Sequence, residues 1–114
     1  MNEELDELTA VAFQIILKAG DAKVAAEDAL KALHQSNFAL AQACLQKADA
    51  SLLQAHNAQT DLVQREAAGE KFAYSVIFNH AQDTLMTSMT QLSLTKEICA
   101  LYERLDRRID ALQT

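Results

Sequence analysis

The 114-residue chain has no proline and only two glycines, Gly20 and Gly69. A β-rich domain needs a turn roughly every eight to twelve residues, and this chain lacks the residues that make them. Its two cysteines, Cys44 and Cys99, stand far apart in sequence. They form no C-x-x-C pair, so the sequence offers no zinc or dithiol motif and predicts two small thiols packed in a core. No apolar run approaches the eighteen or so residues of a membrane span. Basic residues are also scarce, with ten Lys and Arg against sixteen Asp and Glu, a formal charge of −6. A generic nucleic-acid binder or a polybasic membrane-surface protein needs the opposite balance. The acidic start, Met1-Asn2-Glu3-Glu4-Leu5-Asp6-Glu7, reverses the basic region of a signal peptide, and a cytoplasmic protein is expected.

Half of the residues are hydrophobic and 23% are charged, which suits one packed all-α domain over residues 1–114. Leu5, Leu8, Ala12, Ile15, Ala19, Ala22, Ala26, Ala29 and Leu33 alternate in steps of three and four, predicting a helix over about 2–33 with Asn2 as its cap. Gly20 inside that pattern costs about 1 kcal/mol relative to alanine. Either the helix breaks or bends there, or another backbone approaches closely. A second helix over about 37–66 carries Phe38, Ala41, Leu45, Ala48, Leu52, Ala55, Gln59 and Leu62 on its seam. Ser36 or Asn37 can cap its start, and Gly69 can close its end. Gln59 places an amide in the seam and needs a partner. A third helix is expected over about 72–112. Short connections make neighbours antiparallel, giving an up-down-up three-helix bundle.

The third helix is apolar on two sides. Phe78, Ala81, Leu85, Met89, Leu92, Cys99 and Tyr102, continued by Leu105, Ile109 and Leu112, form one stripe expected to pack into the bundle. Phe72, Val76, Leu94, Ile98 and Leu101 lie roughly opposite. A three-helix bundle buries only one of these sides, so the other predicts oligomerisation. His80 and Asp83 sit in the middle of that second side, about 60° apart. His80 alone reads as an ordinary structural histidine. Asp83, flanked by apolar residues at an interface, needs pairing or a cation. If cyclic symmetry gathers copies of Asp83, an oxygen-only cluster selects a hard ion such as Mg²⁺. No H-E-x-x-H, Glu-x-x-His or Walker loop is present. Ser88 and Ser93 lack an evident base, and His56 reads as a helix-surface residue.

His80-Ala81-Gln82-Asp83-Thr84-Leu85-Met86-Thr87 resembles a segment of the phosphotransferase-system enzyme IIA proteins of the lactose/cellobiose (chitobiose) type. Ala19-Gly20-Asp21-Ala22, Ala55-His56 with Gln59-Thr60, and Gly69-Glu70 with Tyr74-Ser75-Val76 resemble further segments, so the likeness spans the chain. The resemblance implies a homotrimer of three-helix subunits. It implies that His80 takes a phosphoryl group from phospho-HPr and passes it to a cysteine of the cognate enzyme IIB, energising sugar import through the membrane-embedded IIC. It further implies that Asp83 binds a divalent ion, Mg²⁺, on the threefold axis. The family commonly has a second histidine where this chain has Thr84, which cannot carry a positive charge. Helix dipoles, Gln82 or Thr84 are the expected sources of donors to the phosphoryl oxygens.

Two other readings compete. One is a non-catalytic helical oligomer with an interaction or regulatory role. The other is a histidine-phosphotransfer domain of two-component signalling, which places a lysine shortly after its histidine; Gln82-Asp83-Thr84 offers none. A carrier that touches only other proteins needs no sugar pocket, so the sequence does not name the sugar.

Overall fold

The computed structural model describes residues 3–113. Three helices follow one another: α1 Glu3–His34, α2 Phe38–Ala67 and α3 Val76–Gln113, with no strand among the described residues. The expected cap Asn2, and the side chains of Glu3, Glu4 and Leu5, lie outside what is described.

Between α1 and α2 the chain turns in three residues. Ser36 adopts φ +54°, the left-handed conformation that normally falls to glycine. Asn37 then caps α2, its Oδ1 accepting the Leu40 N–H at 3.1 Å. At the far end Glu70 N–H donates to Arg65 C=O and Gly69 N–H to Glu66 C=O, at 3.1 and 3.0 Å. This is a Schellman closure, and Gly69 at φ +106° is the residue that permits it.

The third helix begins later than its apolar pattern suggests. Ser75 Oγ accepts the Phe78 N–H at 3.2 Å, and Ser75 C=O accepts the Asn79 N–H at 3.1 Å. That cap fixes the start at Val76. Phe72 is therefore not on α3 at all, but in the connection, where the Arg65 guanidinium lies 5.1 Å above its ring.

Two buried clusters show how the helices pack. Ala22, Ala26, Ala29 and Leu33 late in α1 meet Ala41, Leu45 and Ala48 early in α2, together with Leu92 and Cys99 of α3. Ala12, Ile15 and Ala19 meet Ala55 of α2 with Ala81 and Leu85 of α3. The pairing order makes α1 and α2 run oppositely, and α1 and α3 run the same way. Alanine dominates, so helix backbones approach closely along α1, while α2 and α3 touch each other least. Through Gly20 the first helix runs unbroken, and a Cβ built there meets nothing within 4 Å. Neither expected explanation of that glycine holds within the chain.

The two cysteines are free, Cys99 buried and Cys44 half-buried. Burial raises the Cys99 thiol pKa, with the nearby Glu103 carboxylate adding to the effect. Cys99 is also the last buried residue of α3. The expected continuation of the core stripe fails beyond it, because Leu105, Ile109 and Leu112 are 51%, 54% and 87% exposed. At about 100° per residue these three line up with Leu94, Ile98 and Leu101, not with Leu85 and Leu92. The apolar tail of α3 belongs to the outward side.

Candidate functional site

His80 lies in the second turn of α3, exposed to solvent. Asp83 follows one turn later, also exposed. Among the described residues, no hydrogen bond or ion pair engages the His80 ring or the Asp83 carboxylate. They share their side of α3 with Val76, Thr87, Leu94, Ile98 and Leu101. The result is a short polar stretch set between apolar ends, all of it facing away from α1 and α2.

The hydroxyls next to this pair turn inward to their own helix. Thr84 Oγ1 donates to the His80 C=O at 2.9 Å, and Thr87 Oγ1 donates to the Asp83 C=O at 2.9 Å. Gln82 lies about 160° around the helix from His80, where its Oε1 accepts from Gln59 Nε2 at 3.2 Å. This supplies the partner that the seam amide of α2 requires. In the single chain neither the Gln82 amide nor the Thr84 hydroxyl hydrogen-bonds the imidazole.

The other histidines stand apart from the pair. His56 is half-buried on α2, one turn from Gln59, with the Thr60 hydroxyl 3.4 Å from its Nδ1. It belongs to the α2–α3 seam and not to the outward side of α3. His34 ends α1.

Arg65 does not stand out in the sequence, yet it ties together three parts of the chain ahead of α3. Its guanidinium donates to Glu70 Oε2 at 2.7 Å and to Glu7 Oε1 at 2.6 Å, joining α1, α2 and the connection before α3. The hydrogen bonds from Arg65, assisted by its charge, hold both the Glu7 and Glu70 carboxyls below the usual carboxylate range. Beside this clamp lies a cavity of about 390 Å³, walled by Phe72, Tyr74, Phe78, Asn79 and Gln82 among others. Only the five-residue spacing from Arg65 to Glu70 hinted at the clamp in sequence.

Among the described residues, no group of three His, Cys, Asp or Glu side chains converges to hold a metal within one chain. Asp83 offers a single exposed carboxylate, which fits a hard cation only where further copies complete the donor set.

A family model described as the lactose/cellobiose-specific IIA subunit of the PTS system matches residues 10–103. The lichenan-specific phosphotransferase enzyme IIA component of Bacillus subtilis (strain 168) is 40% identical over 105 residues, covering 92% of this chain and 93% of that protein. The crystal structure of PtcA from S. mutans superposes with a TM-score of 0.85 at 43% identity, covering 90% of this chain and 99% of that one. The IIA(Chitobiose) chain of the Escherichia coli IIA–HPr complex gives a TM-score of 0.74 at 35% identity, covering 87% and 96%. The fold and the sequence agree on one assignment: the chain belongs to the lactose/cellobiose-specific enzyme IIA family of the phosphotransferase system.

Proposed function

We propose that this chain is a cytoplasmic phosphocarrier of a sugar phosphotransferase system, a single domain that works through His80. The observation that carries the reading is an exposed, unpartnered imidazole on the outward side of α3, in a chain of this family. A relative solved in complex with HPr supports HPr as the donor. A neutral imidazole nitrogen attacks the phosphorus of phospho-HPr, the bond from phosphorus to HPr breaks, and phosphohistidine forms on His80. The thiolate of a cysteine in the cognate enzyme IIB then attacks the same phosphorus and releases the imidazole. Membrane association occurs only through the IIB and IIC components. Relatives named for lactose/cellobiose, lichenan and chitobiose leave the sugar to those partners.

The subunit is read as an up-down-up bundle that assembles as a homotrimer through the outward side of α3. That side keeps Leu94, Ile98 and Leu101 about half exposed or more in the single chain, at 59%, 49% and 55%. Assembly around a threefold axis gathers three Asp83 carboxylates, and like charges that close need protons or a cation. A divalent ion such as Mg²⁺, held there by Asp83, would supply charge neutralisation. Asp83 itself orients the helices around the axis, and His80, about 60° away, stays at the rim within reach of both partners.

Incubation with phosphoenolpyruvate, enzyme I and HPr should add one acid-labile phosphoryl group, read by intact mass. His80→Gln should abolish it without loss of helicity. Labelling that persists in that variant, or that maps to His34 or His56, overturns the assignment. In sedimentation equilibrium of the same samples, chelator should weaken the wild-type trimer and leave Asp83→Leu unaffected, because buried ionic clusters are often replaceable by apolar groups. A wild type indifferent to chelator, beside an Asp83→Leu chain that dissociates, refutes the axial ion.

A further inference from the structure

The connection that leads into α3 closes one end of the bundle without filling it. The cavity of about 390 Å³ there has three aromatic walls, Phe72, Tyr74 and Phe78, with the amides of Asn79 and Gln82 beside them. Glu66 is the one charged residue among its described walls. No hydrogen bond or ion pair engages the Glu66 carboxylate among the described residues. The cation next to it is shared out: Arg65 meets Glu7, Asp61 and Glu70 at 2.6, 3.8 and 2.7 Å. Even with Lys71 counted, two cations stand against four carboxylates, so this end of the bundle stays negative.

Aromatic faces attract cations, and an unpaired carboxylate favours them over anions. The Phe72 ring shows that preference, since the Arg65 guanidinium rests 5.1 Å from its centroid. Leu62 and Val63 add apolar wall. A cation on an apolar stem fits such a lining, and arginine and lysine side chains have that build. A free amine gains little from a half-open cavity with one carboxylate. A side chain on a protein that is already docked enters at high effective concentration.

Position selects the protein. Asn79 walls the cavity and adjoins His80, about 100° around α3, and both are exposed. Tyr74, on the same rim, is 78% exposed. Its Cα is at most about 13 Å from that of His80, two extended residues plus one helical turn. An ordinary protein interface covers about 800 Å² per partner, a patch roughly 30 Å across. A protein docked over His80 therefore reaches the cavity.

We propose that this cavity is a docking pocket for one arginine or lysine side chain of the phosphoryl donor protein, held by Glu66 and the rings of Phe72 and Tyr74 while the donor covers His80. The inference rests on the carrier reading above and names the group by which the donor is held.

The test follows phosphoryl transfer from phospho-HPr to the full-length chain, with rates read against carrier concentration and circular dichroism on each variant. Glu66→Lys and Tyr74→Ala should each raise KM about tenfold, with kcat within about twofold of wild type. Asp28→Lys makes the same change in net charge about 30 Å along α1 from Leu8, and should leave KM within about twofold. Among HPr variants with single basic residues changed to Glu, one should restore the KM of the Glu66→Lys chain. An unchanged KM in Glu66→Lys, an equal rise in Asp28→Lys, or a rise that no HPr variant reverses overturns the inference, while His80 labelling upholds the carrier reading. A fall in kcat at constant KM also overturns it, because the cavity then acts on the reaction and not on docking. A wild type that takes no phosphoryl group from HPr overturns both. Arginine methyl ester bound at submillimolar concentration, read by NMR shifts of Phe72, Tyr74 and Asn79, with KM unmoved in the variants, assigns the cavity to a free cation instead.

Discussion

The seam between α1 and α2 and the seam between α2 and α3 are made of different chemistry. The first is lined by alanines, among them Ala22, Ala29, Ala41 and Ala48, all at most 1% exposed. Small side chains let two backbones close on each other and remove apolar surface continuously along their length. The second seam is pinned by polar contacts: the hydrogen bond from Gln59 Nε2 to Gln82 Oε1, and Lys96 Nζ donating to Asp49 Oδ1 at 2.6 Å. Directional bonds of this kind fix register while burying little. What the difference teaches is that α3 is held mainly by α1 and steered by α2, and its remaining side is free for other molecules.

The sharpest way to break this comparison is to remove packing from the side of α3 that α1 holds. Leu85 is fully buried, and Leu85→Ala should cost about 2–5 kcal/mol in denaturant unfolding. Leu101→Ser, on the outward side, should stay within about 0.5 kcal/mol when measured on dissociated chains. Equal costs for the two would mean that α3 is not sided as described.

Gly20 gives a smaller and opposite effect. Because a Cβ there meets nothing within 4 Å, Gly20→Ala should stabilise the dissociated chain by about 1 kcal/mol, read as a higher denaturant midpoint. A loss of stability would show a close approach along α1 that the single chain does not contain.

The smallest effect is expected at the Arg65 clamp, whose groups are largely exposed and screened by solvent. Glu7 and Glu70 have lowered pKa values in the folded chain, so their stabilisation is present above the ordinary carboxylate range and is lost as pH falls through the lowered values. Arg65→Gln should therefore lower the melting temperature near pH 7 at low salt. The gap to wild type should close on acidification or in high salt. A gap that grows in acid would contradict the sign of this linkage.

Much of this was legible because helical periodicity is a local property. The seams of α1 and α2, the Gly69 closure and the two-sidedness of α3 all follow from spacing within a few turns. What failed was of two kinds. Phe72 continues an apolar pattern, but the Ser75 hydroxyl competes for the first free N–H groups and starts the helix after it. Leu105, Ile109 and Leu112 continue the core stripe by spacing alone, but steps of three and four drift around a helix over several turns and carry them to the outward side. Contacts between distant segments were not readable at all. Arg65 meets Glu7 across 58 positions, and Gln59 meets Gln82 across 23. At the site, His80 and Asp83 stood out as polar interruptions of an apolar side, but the inward turn of the Thr84 hydroxyl depends on rotamer and helix start. Spacing carries neither.

The three-residue turn at Gln35–Asn37 also bears on the order of events in time. It joins helices whose contacts begin close together in sequence, so the α1–α2 hairpin closes a small loop at little entropic cost. Leu85 must instead find Ile15 across most of the chain, and that closure is slower. The hairpin is thus expected to form first and to serve as the template on which α3 settles. The outward side of α3 is set apart only with that last docking, so the face proposed for assembly is complete only once the chain's own fold has closed.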